Sequence, residues 1–154
     1  MHPYNTDELD EVDRKLLNII QENADLTYAE LANILGISQS SVYVRLKKLK
    51  DKGYIKRIIA VLNTEKLGLN LKCFIFINID IKKYDYVIER LKDFDKIVAI
   101  YDVTGEYALI VQALVHNQKE LATLLDEIGN IDGVVSTKTV VVLRTIKENL
   151  RVIL

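Results

Sequence analysis

Seven basic side chains fall within residues 38–57, against a single acidic residue, Asp51. The whole chain is nearly neutral, with 21 Lys and Arg against 22 Asp and Glu, so the positive charge is concentrated locally. A focal excess of this kind attracts phosphates, and double-stranded DNA is the partner that it favours. The cations are Arg45, Lys47, Lys48, Lys50, Lys52, Lys56 and Arg57.

The residues just before these cations can hydrogen bond to base edges. A glutamine can form two hydrogen bonds to the edge of an adenine, and serine hydroxyls can donate to bases or phosphates. The cations that follow are better suited to phosphates, which fix the position of a protein on DNA. The alternative is a lysine-rich helix whose cations only face solvent. The focal charge favours DNA binding, and so do the capping residue Ser38 and the turn residue Gly36 that precede the cations. The predicted DNA-binding residues are Ser38, Gln39, Ser40, Ser41, Tyr43, Arg45, Lys47, Lys48 and Arg57.

Three short helices are predicted to position these side chains. Asp10 can cap the first helix, Thr27 and Glu30 form a capping box for the second, and Ser38 can cap the third. Gly36 separates the second and third helices, which is typical of a helix-turn-helix motif. The third helix would then enter the major groove with its N-terminal residues first.

Two domains of an α+β protein are predicted. The β-branched segment YIKRIIAVLN, 54–63, predicts a strand that completes a winged helix-turn-helix domain over residues 1–63. Residues 64–70, with Gly68, are predicted to be a linker. Residues 71–154 alternate strands and helices in the order β-α-β-β-α-β, which predicts a ferredoxin-like domain.

The predicted sheet is apolar on both faces, although helices can cover only one. A large exposed apolar patch is rare in monomers, so the second face predicts a homodimer. Apolar residues scattered over a solvated face are the alternative. A dimer would carry two DNA-reading helices and would recognise a palindromic site. The predicted interface residues are Phe74, Phe76, Ile100, Ile110, Val140 and Val142.

Other classes of function lack the residues that they need. The one cysteine, Cys73, cannot form an intrachain disulfide or a cysteine-based metal site, and we predict no metal and no cofactor. No apolar run reaches the roughly 18 residues of a membrane span, and no signal-peptide pattern is present, so a cytoplasmic protein without a membrane partner is expected. The only histidines, His2 and His116, form no recognisable catalytic pair, and no enzyme is predicted.

Over nearly its full length the chain resembles the Lrp/AsnC family, also called feast/famine regulators. The resemblance implies a prokaryotic transcription regulator, archaea included, with a winged helix domain followed by a ferredoxin-like domain. It also implies dimers that often assemble into octamers, with small effectors, usually amino acids, bound between dimers. The matching segments are DEVDRKLLNIIQENADLTYAELANILGISQSSVYVRLKKLKDKGYI (10–55), VTGEYALIV (103–111) and GVVSTKTVVVL (133–143).

The resemblance also implies an effector pocket near a hairpin turn and the last strand. A glycine lets a ligand carboxylate approach backbone N–H groups, and threonine hydroxyls can bond to an ammonium or a carboxylate group. A simple turn and β-propensity are the alternative explanations. The chain departs from the family pattern at Ala108, where many members carry an acidic residue, and the effector's identity stays open. The implied residues are Gly105, Glu106, Tyr107, Thr137 and Thr139.

Two alternatives to an effector-controlled regulator remain. Tetrapyrrole decarboxylases that act on sirohaem-type substrates resemble this family in shape, but they need histidines and arginines around an anionic macrocycle. An architectural protein that wraps DNA without sensing a small molecule is the second alternative. Such a protein would bind random and promoter DNA equally well.

Overall fold

The structure is a computed structural model, and it describes residues 9–154. These residues form two compact units. One runs to Val61 and also includes Lys147–Leu154, and the other is Leu62–Ile146. The division into a winged helix domain (1–63), a linker (64–70) and a ferredoxin-like domain (71–154) stays a proposal. The last eight residues associate with the N-terminal helices.

The N-terminal unit contains three helices in its described part, and each begins at a predicted capping residue. The Asp10 carboxylate accepts the backbone N–H of a residue in the first turn of its helix, and Ser38 does the same for the third helix. Thr27 and Glu30 form the complete capping box. Gly36 has φ 67°, a left-handed conformation that favours glycine, and it turns the chain from the second helix to the third. The helices are α1 (Glu11–Glu22), α2 (Tyr28–Leu35) and α3 (Gln39–Asp51).

Helix α3 is anchored by one apolar stripe. Val42, Leu46 and Leu49 are buried against residues of α1 and α2 such as Leu16 and Leu31. These positions recur at helical spacing, so their burial fixes the rotation of α3 and leaves its polar face outside.

The strand predicted over 54–63 is wrong. These residues have no regular secondary structure, and Ile58, Ile59, Val61 and Leu62 are exposed. A strand requires hydrogen bonds to a neighbouring strand, and the described part of the N-terminal unit contains none. The high β-propensity of residues 54–63 therefore meets no partner strand among residues 9–154.

The C-terminal unit has the predicted β-α-β-β-α-β order. Its four strands form an antiparallel sheet in the order β2-β3-β1-β4, as in a ferredoxin-like fold. A short 3-10 turn, Ile81–Lys83, precedes the first helix of this unit. The elements are β1 (Leu71–Ile79), α4 (Tyr84–Lys92), β2 (Ile97–Asp102), β3 (Leu109–Val115), α5 (Gln118–Gly129) and β4 (Val134–Val141).

Helices α4 and α5 cover one face of this sheet. Ile75, Ile77 and Val111 on the strands are fully buried, and so are Leu91 of α4 and Leu124 of α5. Alternate residues of β1 are therefore buried where the strand lies under the helices.

Five of the six residues predicted for the second face share that face, four of them within the strands. Directly opposed residues of an antiparallel pair point to the same side of a sheet. Phe74 opposes Val140, and Phe76 opposes Ile110, so these four lie away from the buried core. Val142 follows β4, and its N–H donates to the carbonyl of Lys72 at 2.8 Å, which continues the ladder on the same alternation.

The prediction is wrong for Ile100. This residue opposes the buried Val111 and packs against the core under the helices. The cause is a register shift between Ile97 and Ala99, because one extra residue in a strand inverts the alternation of every residue after it. Tyr101, which opposes Ile110, takes the place of Ile100 on the open face.

None of the helices within residues 9–154 combines the length and the apolar character needed to cross a bilayer.

Candidate nucleic-acid interface and effector pocket

The structure brings the predicted base-reading residues together at the start of α3. Gln39, Ser40 and Ser41 form its exposed first turn. The Ser38 hydroxyl accepts the N–H of Ser41 at 3.1 Å and lies 3.0 Å from the hydroxyl of Ser40, so its first role is structural. Because α3 is fixed by its buried stripe, this turn is presented in one orientation.

Tyr43 and Lys47 lie exposed further along α3, and Arg57 is exposed in the irregular segment after it. The ring of Tyr43 meets the ring of Tyr28 edge to face, with centroids 6.0 Å apart. The pair joins the two helices of the motif at their surface. Sequence reasoning missed Tyr28, because the contact joins two elements across the turn.

Two of the predicted phosphate contacts, Arg45 and Lys48, are ion-paired within the protein. Nη1 of Arg45 lies 2.5 Å from a carboxylate oxygen of Asp10 and 2.6 Å from one of Asp13, and Nζ of Lys48 lies 3.4 Å from the other oxygen of Asp13. Asp13 is the one charged side chain that is buried among residues 9–154. A buried carboxylate is tolerated only when it is paired, so this cluster ties α1 to α3.

The pKa values in this cluster reflect the contacts. The backbone N–H of Asp13, and then the Arg45 guanidinium, hold the pKa of the Asp10 carboxyl below its usual value. The carboxylates of Asp10 and Asp13 raise the pKa of Arg45. The Asp10 carboxylate and the Arg45 guanidinium are thus held in their charged forms. Asp10 and Asp13 are three residues apart and so lie on one side of the start of α1, but this spacing does not identify Arg45 as their partner.

An open cleft of about 460 Å³ lies beside these ion pairs. It exposes two serine hydroxyls, the two cations and one carboxylate along the side of α3. Its lining residues are Asp10, Ser40, Ser41, Val44, Arg45 and Lys48.

A second open pocket of about 460 Å³ lies at the β2–β3 hairpin, where three of the five implied effector residues meet. Gly105 has φ 117°, which favours glycine, and a side chain added there would meet no atom within 4 Å. The ring of Tyr107 packs on Phe76 with centroids 5.4 Å apart. A hydrogen bond to Asp102 raises the pKa of the Tyr84 phenol. The lining residues are Asn78, Ile81, Tyr84, Asp102, Val103, Gly105, Glu106, Tyr107 and Ala108.

Thr137 and Thr139 do not line this pocket. They lie on β4, opposite Ile77 and Ile75 of β1. Ile77 also opposes Leu109, the first residue of β3 after the hairpin, so Thr137 is level with the hairpin but two strand spacings away, about 10 Å. The two parts of the implied effector site are therefore separate within one chain.

The described residues hold no group of three or more His, Cys, Asp and Glu that could ligate a metal. His2 lies outside the described residues. Cys73 is buried in the C-terminal core, and burial raises the pKa of its thiol.

Two family models match the chain. A winged helix-turn-helix DNA-binding model matches residues 9–56, and an Lrp/AsnC ligand binding domain model matches residues 72–152. The first match spans the three helices and the basic segment up to residue 56, and the second spans the hairpin pocket and the sheet from residue 72.

Curated relatives are similar along most of their length. The HTH-type transcriptional regulator FL11 of Pyrococcus furiosus is 37% identical over 140 residues, which are 91% of this chain and 93% of the relative. The regulatory protein AsnC of Haemophilus influenzae is 34% identical, over 90% of this chain and 97% of its own length.

Solved structures share the architecture. A Neisseria meningitidis transcriptional regulator in complex with L-Met has a TM-score of 0.88 at 28% identity, covering 92% of this chain and 94% of that one. AsnC of E. coli has a TM-score of 0.85 at 30% identity, covering 91% and 95%.

Proposed function

Since the chain belongs to the Lrp/AsnC family of DNA-binding transcriptional regulators, we propose that it binds palindromic promoter sites as a dimer or octamer and that an amino acid modulates it. The observation that carries the proposal is the exposed first turn of α3, held in place by buried Val42, Leu46 and Leu49. A helix packed in this way can enter the major groove without losing its core contacts. Gln39 contacts bases, and Lys47 contacts phosphates. The DNA partner implies a cytoplasmic protein.

The dimer is proposed to form through the open face of the sheet. Phe74, Phe76, Ile110, Val140 and Val142 support it, and Tyr101 replaces Ile100 in the set. Gln112 and Lys138 oppose the two phenylalanines on the same face, so the interface is apolar with polar residues interspersed. Burying this face would remove a row of aromatic side chains from water.

The effector is proposed to bind at the hairpin pocket. Gly105, Glu106 and Tyr107 line it, and a related regulator is known in complex with L-Met. Thr137 and Thr139 lie on an edge strand outside this pocket, so in our proposal a neighbouring copy contributes them. An effector held between copies would link its binding to assembly.

Selection from a random duplex library tests the DNA part of the proposal. We expect enrichment of a motif with two-fold symmetry, because two symmetry-related α3 helices would read it. Equal retention of all sequences would instead identify an architectural protein. Titration of the enriched duplex with single amino acids, followed by both anisotropy and sedimentation, tests the effector. An amino acid that binds the hairpin pocket should change affinity or assembly, and its effect should be lost in Gly105→Val.

A further inference from the structure

The acidic partners of Arg45 differ in their access to solvent. The Asp13 side chain is fully buried, whereas 52% of the Asp10 side chain is exposed. Asp10 is also the carboxylate that lines the cleft beside α3, together with Ser40 and Ser41. Asp13 is therefore a fixed partner of Arg45, and Asp10 is a partner that a solute can reach.

Both carboxylates bond to the same nitrogen of Arg45, Nη1. A guanidinium has five N–H donors in a planar fork, and Nη1 supplies only two of them. The bond to Asp13 thus holds the guanidinium in the cleft even if the bond to Asp10 breaks. A carboxylate and a phosphate are alternative acceptors for such a fork.

The cleft has the composition of a phosphate site apart from Asp10. Two hydroxyl donors and the cations Arg45 and Lys48 line it on the α3 side. In the free protein these cations are balanced by Asp10 and Asp13, so the cleft carries little net charge despite its basic residues. A phosphate could enter only in competition with the exposed carboxylate.

We propose that Asp10 is an internal competitor for DNA phosphate. In the free protein its carboxylate occupies Arg45, and in the complex a backbone phosphate takes its place while Asp13 keeps Arg45 in position. This inference rests on the proposed binding of DNA at α3. Because phosphates carry no sequence information, the competition weakens binding to all duplexes alike.

The variant Asp10→Asn tests the proposal, because asparagine caps a helix as well as aspartate but carries no charge. On a random-sequence duplex we expect binding to tighten about two- to fivefold, the range of a half-exposed ion pair. The salt dependence of DNA binding should become steeper. In the wild-type protein the displaced Asp10 carboxylate takes up a cation from solution and offsets part of the counterion release, whereas an asparagine does not. Asp10→Ser, a second capping residue, should behave in the same way.

Glu11→Gln is the matched control. It removes one negative charge from the neighbouring residue and releases a different cation, Lys15. The affinity of this variant for DNA should stay within about 1.5-fold of wild type, because solvent screens a charge that has no direct contact with Arg45. In an Arg45→Gln background, Asp10→Asn should lose its effect, as coupled residues do in a double-mutant cycle.

Unchanged or weakened binding in both Asp10 variants would overturn the proposal, and so would an equal gain in Glu11→Gln. Binding of the wild-type protein to the same duplex reports separately on the proposed function. A gain that persists in Arg45→Gln would show that Asp10 acts through its general charge and would also overturn the competition.

Discussion

Gln21 bonds to both backbone groups of Val152: Nε2 donates to the carbonyl at 3.0 Å, and Oε1 accepts the N–H at 2.9 Å. Asn18, one helical turn earlier, bonds to Leu154 in the same way at 3.3 and 3.4 Å. Arg151 forms an ion pair with Glu22. The C-terminal residues are thus attached to α1 mainly through their backbone.

Gln21→Ala should loosen this attachment. The N–H of Val152 loses its acceptor, so its hydrogen exchange should accelerate, with a stability cost of about 1 kcal/mol or less for exposed hydrogen bonds. Exchange measured by mass spectrometry on the C-terminal peptide checks this. Gln118→Ala, on an exposed residue at the start of α5, is the control. If the C-terminal peptide exchanges as rapidly in wild type as in Gln21→Ala, the hydrogen bonds of Gln21 do not hold this segment.

Gln39→Ala should change sequence preference. Gln39 is exposed in the first turn of α3, and loss of a paired hydrogen bond to a base removes about 1–3 kcal/mol of discrimination at one position. Library selection with wild type and variant measures the change. An identical enriched motif in both proteins would exclude Gln39 from base recognition.

Lys47→Ala should weaken binding to every duplex by a similar factor. A phosphate contact carries no base information, and its loss should reduce the slope of log K against log salt by about 0.9. Anisotropy titrations at several salt concentrations on specific and random duplexes provide the comparison. A loss confined to the specific duplex would assign Lys47 to base contacts.

Phe74→Glu should separate the proposed dimer into particles of 17.6 kDa. The substitution places a charge on the open face of the sheet, opposite Val140, where a partner would bury it without compensation. Sedimentation velocity measures the mass. Tyr86→Glu, on an exposed residue of α4, is the control and should leave assembly unchanged.

Glu120 should make stability depend on acidic pH. Its carboxylate accepts the backbone N–H of His116 at 2.6 Å and contacts the His116 ring at 2.8 Å and Lys96 at 3.2 Å. These contacts, led by the backbone N–H, lower its pKa from 4.5 to about 2. A folded-state pKa below the unfolded one adds stability above pH 4.5 that is lost as pH falls towards 2.

Urea midpoints between pH 6 and pH 3 for wild type and Glu120→Gln check this. The difference between the two should be nearly constant from pH 6 to about pH 4.5 and should shrink as the pH falls from there to 3. Glu127→Gln, on the same helix, controls for the loss of a charge. A constant difference across this range would mean that Glu120 contributes no ionised contact.

Local signals in the chain are enough to predict the helices of the first unit and where they begin. Asp10, Thr27 and Ser38 each act on a backbone group three residues away, so the chain near each cap contains all the partners. The order of strands and helices in the second unit is predictable for the same reason, since periodicity is a local property. The positions of Gln39, Ser40 and Ser41 followed from the cap at Ser38.

Features that depend on distant partners became visible only in the folded chain. The register shift before Ile100 is set by pairing with β3, and no strand in the described part of the chain pairs with residues 54–63 in spite of their composition. Arg45 meets Asp10 and Asp13 across 35 and 32 residues. Such contacts depend on how buried faces dock, which propensity and spacing along the chain do not encode.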